Sequence, residues 1–149
     1  MSNEIGPPTG TATPVRHRDC LLLAGRILLG SIVGVSGYAK LLGLAAFAAS
    51  LERRGVLFAS AMAAIGASVE CFGGLAVVLG IEVRTAALLM IAFVIVATLI
   101  SHRFWELQDA ARRAQATQFS KNLAIIGGFV LLHVAGGGRH AVERFWRRG

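Results

Sequence analysis

The feature that most constrains this chain is a single acid, Glu70, near the middle of an apolar segment that runs from Leu57 to Gly80. About 20 apolar residues cross the hydrocarbon core of a bilayer as a helix, and a carboxyl group is costly to bury there. Small residues at helical spacing share the face of Glu70, so a neighbouring helix can approach closely. They are Ala63, Gly66, Ala67, Gly73 and Gly74. We therefore predict that Glu70 points into a helical bundle and not into lipid.

The composition also indicates a membrane protein. Hydrophobic residues make up 55% of the 149 residues, and the mean hydropathy is +0.66, well above the usage of soluble domains. A formal net charge of +7 would also suit a nucleic-acid-binding protein. However, the basic residues flank apolar segments, and no motif for reading a nucleic-acid groove is present. We expect the lipid bilayer as the surroundings and no nucleic-acid partner.

Four apolar segments predict an all-α fold, a polytopic membrane four-helix bundle. In order, the segments cover residues 20–42, 57–80, 84–102 and 121–138. The first two are joined by a short helical connection that ends at Gly55. Between the third and fourth, residues 104–120 are predicted to form either a helix on the membrane surface or a loop, because aromatic and charged side chains alternate there.

The two ends of the chain are polar. Residues 1–19 contain Pro7, Pro8 and Pro14 among small polar residues, which predicts a flexible polar N-terminal tail. The four-helix transmembrane domain is predicted to cover residues 20–138, followed by a basic C-terminal tail at 139–149. Seven basic residues flank the spans on each side of the membrane. If Lys40 and Lys121 face into the bundle and are set aside, the positive-inside rule favours cytoplasmic termini.

The first span carries two cations, Arg26 and Lys40, on the face of Gly30 and Gly37. Gly30 and Gly34 also form a GxxxG pair, which suits close helix packing. Arg26 has two interpretations: its head extends to the nearby membrane surface, or it pairs with Glu70. We predict the pair.

Depth along the helices predicts two polar layers. At 1.5 Å per residue, Arg26 lies roughly 9 Å from the side of the termini, Glu70 about 15 Å and His133 about 12 to 15 Å, so these three are expected to meet. Four other polar residues are expected near the opposite face: Lys40, His102, Lys121 and Asn122. Together the layers predict a polar pocket that opens toward the loop side and reaches Glu70.

A buried acid beside a cation is suited to proton handling, because its neighbour decides whether it is ionised. The alternative is an ion pair that only fixes how the helices pack. The sequence has no metal-ligand motif, no phosphate-binding glycine loop and no nucleophile elbow. We therefore expect no metal site, and any electrons must come from another molecule.

The order of these short motifs resembles that of the DoxX family of small four-helix membrane proteins, between about Leu23 and Gly138. Two motifs are the most specific: Glu70 followed by Gly73-Gly74, and the Lys121-Asn122 pair that opens the fourth span. The others are Arg26 before Leu29-Gly30, Ser36-Gly37 before Lys40-Leu41, Leu79-Gly80 before Arg84, His102 before Phe104-Trp105, and Gly127-Gly128 in the last span.

The resemblance implies a four-helix bundle in the bacterial inner membrane. Some members are similar to the membrane subunit of a thiosulfate:quinone oxidoreductase, and others occur in redox-homeostasis complexes or with soluble enzymes. It also implies a site that contains Arg26, Glu70, His102, Lys121 and Asn122. Lys40 joins this set because of its predicted depth, and His133 because of its place on the fourth span.

Two functions follow from these predictions. In the first, the protein is an integral membrane subunit of a redox or quinone-linked system, with a quinone and a soluble redox protein as partners. Catalytic roles are then predicted for Glu70, Arg26 and His102, and substrate-binding roles for Lys40, Lys121, Asn122 and His133. In the second, the protein is a non-enzymatic membrane adaptor, chaperone or small-solute carrier, and the polar residues only fix the packing.

Overall fold

The computed structural model describes residues 15–146, and every regular element in that range is helical. The elements are α1 (Val15–Leu42), α2 (Leu44–Glu52), α3 (Ala59–Leu79), α4 (Val83–Ser101), a single 3₁₀ turn (Phe104–Glu106), α5 (Asp109–Ala135) and α6 (Glu143–Trp146). Within these residues, α1, α3, α4 and α5 are long and apolar enough to cross a membrane. The predicted all-α, four-span membrane bundle is confirmed.

Two helices begin earlier than the sequence pattern predicts. The first begins at Val15 and not at Cys20, so the last part of the predicted N-terminal tail is helical. Residues 1–14 of that tail, and residues 147–149 of the C-terminal tail, lie outside the described residues. The last span begins at Asp109 and not at Lys121, because the polar segment before the span continues its helix without a break. With 27 residues, α5 is roughly 40 Å long at 1.5 Å per residue, longer than a hydrocarbon core of about 30 Å.

The bundle is organised around the crossing of α1 and α3, where glycine backbones touch. A Cβ atom on Gly30 would lie 2.6 Å from the carbonyl oxygen of Gly74, and one on Gly74 would lie 2.5 Å from the nitrogen of Gly34. Real Cβ atoms do not come so close, so only glycine permits this approach. The predicted close packing through Gly30 and Gly34 is confirmed. From this pair, α4 packs on α3, and α5 packs on both α4 and α1.

The apolar core lies between these four helices, and large apolar side chains also cover the outside. Val77, Met90 and Phe129 are almost completely buried at its centre. On the outer face of α1, Leu21, Leu28 and Val35 are each more than 60% exposed. Such exposure is costly in water and favourable in lipid, so the surface fits the membrane environment.

The chain after α5 folds back onto the bundle. Gly136, with φ 76°, ends α5, and the amides of Val142 and Glu143 then donate hydrogen bonds to the carbonyl oxygens of Leu79 and Gly80. The carboxylate of Glu143 accepts a hydrogen bond from the amide of Val83 at 3.0 Å, so it satisfies a free donor at the start of α4. Residues 139–146, part of the predicted basic tail, therefore join the ends of α3 and α4.

Candidate functional site

The carboxylate of Glu70 lies inside the bundle and binds a cation from the preceding span. Glu70 is 7% exposed on α3, and its Oε2 lies 2.5 Å from Nζ of Lys40 on α1. The side chain of Lys40 is 34% exposed, and Nζ also lies 5.3 Å from the centroid of the Phe47 ring on α2. Lys40 therefore stands between Glu70 and the exterior at the loop end of α1.

A small cavity of about 80 Å³ adjoins Glu70 on the inner side. Its polar lining comes from Glu70, Ser36 on α1 and Asn122 on α5. The remaining lining residues are apolar: Ile32, Val33, Phe93, Val94, Ala97 and Ile125. All four membrane-spanning helices contribute to this cavity, so its polar groups lie among apolar side chains of the bundle.

Asn122 is held in place by α4. Its Nδ2 donates a hydrogen bond to Oγ1 of Thr98 at 2.8 Å, and the Thr98 hydroxyl donates to the carbonyl oxygen of Val94 at 2.6 Å. An amide group has two N–H donors and one oxygen acceptor, of which Thr98 occupies one donor. The rest of the amide is available to a molecule in the cavity.

The predicted pair between Arg26 and Glu70 is wrong. Arg26 is 1% exposed, and its guanidinium donates hydrogen bonds to the carbonyl oxygens of Val77 at 3.0 Å, Val78 at 2.7 Å and Gly137 at 2.8 Å. Val77 and Val78 are in the last turn of α3, where carbonyl groups lack partners within the helix and a cation is favoured. Arg26 therefore joins the end of α3 to the glycine segment after α5.

The register of the α1–α3 crossing explains the error. A Cβ on Gly37 would meet the backbone of Glu70 and Cys71, so Glu70 lies opposite Gly37. Gly37 follows Arg26 by 11 residues, which is roughly 16 Å along a helix. The depth calculation placed Arg26 and Glu70 in one layer because it took no account of where the glycines of α1 and α3 meet.

His133 does not reach Glu70 either, so the expected meeting of Arg26, Glu70 and His133 is wrong. The Nδ1 of His133 donates a hydrogen bond to the carbonyl oxygen of Arg84, in the first turn of α4, at 2.9 Å. Because α3 and α4 are joined by a tight turn after Leu79, this end of α4 lies on the same side as Arg26. His133 thus belongs to the end of the bundle that carries the termini.

His102 and Lys121 lie on the loop side, as their depth predicts, but outside the cavity. The Nδ1 of His102, which follows the end of α4, is 2.7 Å from Oε1 of Gln115 in the polar part of α5. Lys121 is exposed, so the expectation that it faces into the bundle is wrong. Of the seven predicted site residues, the structure brings together Lys40, Glu70 and Asn122.

Sequence reasoning missed two partners, Ser36 and Thr98. Both are neutral and small, so they stand out little within apolar helices. Thr98 precedes His102 by one helical turn, but the pattern does not show that it faces Asn122. Lys40 follows Gly37 by three residues on the same face of α1, and Gly37 lies against the backbone of Glu70, so the glycine register and not the depth identifies the partner of Glu70.

The chain is similar to one known protein family and to two inner membrane proteins. The DoxX family model matches residues 21–103. The Escherichia coli inner membrane protein YqjF is 31% identical over 126 residues, which cover 85% of this chain and 92% of that protein. The Escherichia coli inner membrane protein YphA is 29% identical over 135 residues, covering 91% of this chain and 93% of that protein. No solved structure gives a significant match.

Proposed function

Because the chain belongs to the DoxX family, we propose that it is a membrane subunit of a redox system and binds a quinone headgroup beside Lys40, Glu70 and Asn122. The observation that supports this most is the cavity, which is lined by Asn122 and by Glu70, the acid that pairs with Lys40. A quinone carbonyl oxygen accepts hydrogen bonds, which the amide N–H of Asn122 can donate.

The Lys40–Glu70 pair would supply the protons of the reaction. Reduction of a quinone to a quinol adds two electrons and two protons. Two protons from the loop-side water would reach the partly exposed Lys40 one after the other, and each would pass to Glu70 and then to the quinone in the cavity. The two electrons would come from a soluble redox protein that docks on the membrane subunit.

Both named relatives are inner membrane proteins, and we place this chain in the same membrane. We also propose that both termini are cytoplasmic. Seven basic residues flank the termini side, and six remain on the loop side once Lys40 is set aside as the partner of Glu70. A green fluorescent protein fused after Gly149 should then fluoresce, whereas alkaline phosphatase fused there should be inactive. The opposite pattern would reverse the orientation.

A second function is favoured because several buried polar groups have hydrogen-bond partners within the bundle. Arg26 binds three carbonyl oxygens, Lys40 binds Glu70, and Asn122 binds Thr98. Such pairs can serve only to specify the packing of helices. In that case the protein is a membrane adaptor, chaperone or small-solute carrier, and no ligand enters the cavity.

Replacing Asn122 by leucine separates the two functions. We expect Asn122→Leu to weaken binding of ubiquinone-0, the headgroup without a chain, about tenfold, since it removes the N–H donor to a quinone oxygen and such a hydrogen bond is worth roughly 1.4 kcal/mol. Binding can be measured by thermal shift of the protein in lipid nanodiscs. Gln118→Leu, at an exposed amide on the same helix, is the matched control and should bind as the wild type does.

The adaptor function predicts a different result for the same variants. Wild-type protein would show no saturable thermal shift with ubiquinone-0, and Asn122→Leu would only lower the melting temperature, because it removes the hydrogen bond to Thr98. That outcome would contradict the quinone site.

A further inference from the structure

A second cavity lies on the outside of the bundle, in the seam between α4 and α5. It has a volume of about 150 Å³ and is lined by Ile95, Thr98, Leu99, Phe119, Leu123 and Ile126. We call it the seam groove. Thr98 is its only hydroxyl-bearing residue, and Ile95, Leu99 and Leu123 are 42%, 51% and 61% exposed, so the groove faces lipid.

The seam groove and the Glu70 cavity lie on two sides of the same pair of helices. On α4, Ile95 lines the groove, whereas Val94 and Ala97 line the cavity. On α5, Leu123 lines the groove, whereas Asn122 and Ile125 line the cavity. The hydrogen bond between Asn122 and Thr98 crosses the seam between them, with Asn122 on the cavity side and Thr98 on the groove side.

The volumes suggest which part of a ligand fits on each side. A cavity of about 150 Å³ lined by apolar side chains accepts benzene in other proteins. The seam groove has that volume, but the Glu70 cavity, at about 80 Å³, has about half of it. A ring can therefore occupy the Glu70 cavity only if the helices part slightly. Between the groove and the cavity, a neutral hydrogen bond from Asn122 to Thr98 joins α5 to α4. A ligand oxygen can take the place of the Thr98 hydroxyl by accepting this hydrogen bond from Asn122.

We propose that the α4–α5 seam is a lateral entrance through which a membrane-dissolved, single-chain amphiphile reaches the Glu70 cavity. Its flat headgroup passes the Thr98–Asn122 hydrogen bond, and its alkyl or prenyl chain stays in the seam groove. The proposal rests on the proposed function, because it takes the Glu70 cavity as the headgroup site. Such a molecule can place its headgroup in the polar cavity and its chain in the apolar groove. A water-soluble ligand has no apolar chain that would bind in the groove.

The protein contains a natural reporter for the groove. Phe119 lines it, and the Trp105 ring packs edge-to-face on Phe119 with centroids 6.4 Å apart. Only two tryptophans occur in the chain, so the variant Trp146→Phe leaves Trp105 as the only tryptophan, which can be excited selectively at about 295 nm. A chain that enters the groove should quench or shift the Trp105 emission.

The test compares two quinones in protein that carries Trp146→Phe. Decylubiquinone has a ten-carbon chain, and ubiquinone-0 has none. Leu123→Phe fills the groove, and Leu131→Phe is the matched control, since Leu131 lies on α5, is 72% exposed and does not line the groove. We expect Leu123→Phe to weaken decylubiquinone binding at least about tenfold relative to Leu131→Phe, with ubiquinone-0 binding equal in both. Comparing the two variants cancels the partition of decylubiquinone into the bilayer.

Three outcomes would contradict the proposed lateral entrance. If both quinones bind and Leu123→Phe weakens neither, the entrance is wrong, but the quinone site stands. If Leu123→Phe weakens the binding of decylubiquinone and of ubiquinone-0 equally, the substitution affects the headgroup site, and the groove does not bind the alkyl chain. If neither quinone binds to the wild type, the proposed function fails, and the entrance fails with it. Equal melting temperatures of the two variants without quinone show that both are folded.

Discussion

Replacing Gly74 by leucine is expected to prevent the bundle from assembling. A Cβ at this position would lie 2.5 Å from the Gly34 nitrogen and 2.6 Å from the Gly30 oxygen, and these are backbone atoms that cannot rotate away. The α1–α3 crossing would have to separate, and with it Lys40 would leave Glu70. We expect a loss of more than about 3 kcal/mol, beyond the usual cost of overpacking a core. The measurement is the yield and melting temperature of monodisperse protein after gentle solubilisation.

Gly127 provides the matched control for this prediction. A Cβ on Gly127 would have no atom within 4 Å, although this residue also lies within a membrane-spanning helix. Gly127→Leu should therefore give protein that melts at or above the wild-type temperature, because glycine is a poor helix former. If Gly74→Leu yields protein as stable as Gly127→Leu, the glycine crossing does not organise the bundle.

Replacing Arg26 by methionine is expected to have the next largest effect. The change leaves three carbonyl oxygens, of Val77, Val78 and Gly137, without their donors. Each unsatisfied buried group costs about 1–3 kcal/mol, so we expect a loss of several kcal/mol. Arg26→Lys should recover only part of it, since one ammonium group cannot reach all three oxygens in the arrangement of a planar guanidinium. Thermal unfolding in detergent measures both changes.

Arg18 is the control for Arg26, because it is exposed on the same helix. Arg18→Met should melt within the error of the wild type. Folded Arg26→Lys protein should also keep its affinity for ubiquinone-0, since Arg26 lies away from the Glu70 cavity. If this variant stays folded but loses quinone binding, Arg26 belongs to the site after all.

The fold could be predicted well from the sequence because its physical causes are local. A run of about 20 apolar residues identifies a span whatever surrounds it, and all four spans are found where the pattern predicts them. The inward orientation of Glu70 also followed from its own helix, through small residues on the same face. The early starts of α1 and α5 were missed because polar residues can continue a helix outside the membrane, where hydropathy gives no boundary.

The site could be predicted only in part, because it depends on the register between helices. Depth alone placed Arg26 beside Glu70, whereas the contact of Gly37 with the backbone at Glu70 sets the true level. At its own level, Arg26 lies beside the end of α3 and donates hydrogen bonds to backbone carbonyl groups that have no partner within the helix. No sequence pattern marks such backbone acceptors, and the position of Gly137 depends on how the chain turns after α5.

Asn122 was predicted as a candidate site residue, but its partner could not be predicted from the sequence. Its motif on the last span marked it as a candidate site residue, and the structure places it on the Glu70 cavity. Its partner Thr98 comes from α4, and the contact between them depends on the rotation of both helices about their axes. Rotation of this kind is decided by packing over the whole seam, which a single residue pattern does not contain.

The central claim is that Lys40, and not Arg26, is the cation that holds Glu70 inside the bundle. A pair of double-mutant cycles tests it most directly, with free energies of unfolding measured for Glu70→Gln combined with Lys40→Met or with Arg26→Lys. We expect a coupling of about 1 kcal/mol between Lys40 and Glu70, because the pair is partly exposed. Arg26 and Glu70 should be additive within about 0.5 kcal/mol, since they share no partner. Coupling of Glu70 to Arg26 and none to Lys40 would contradict the account.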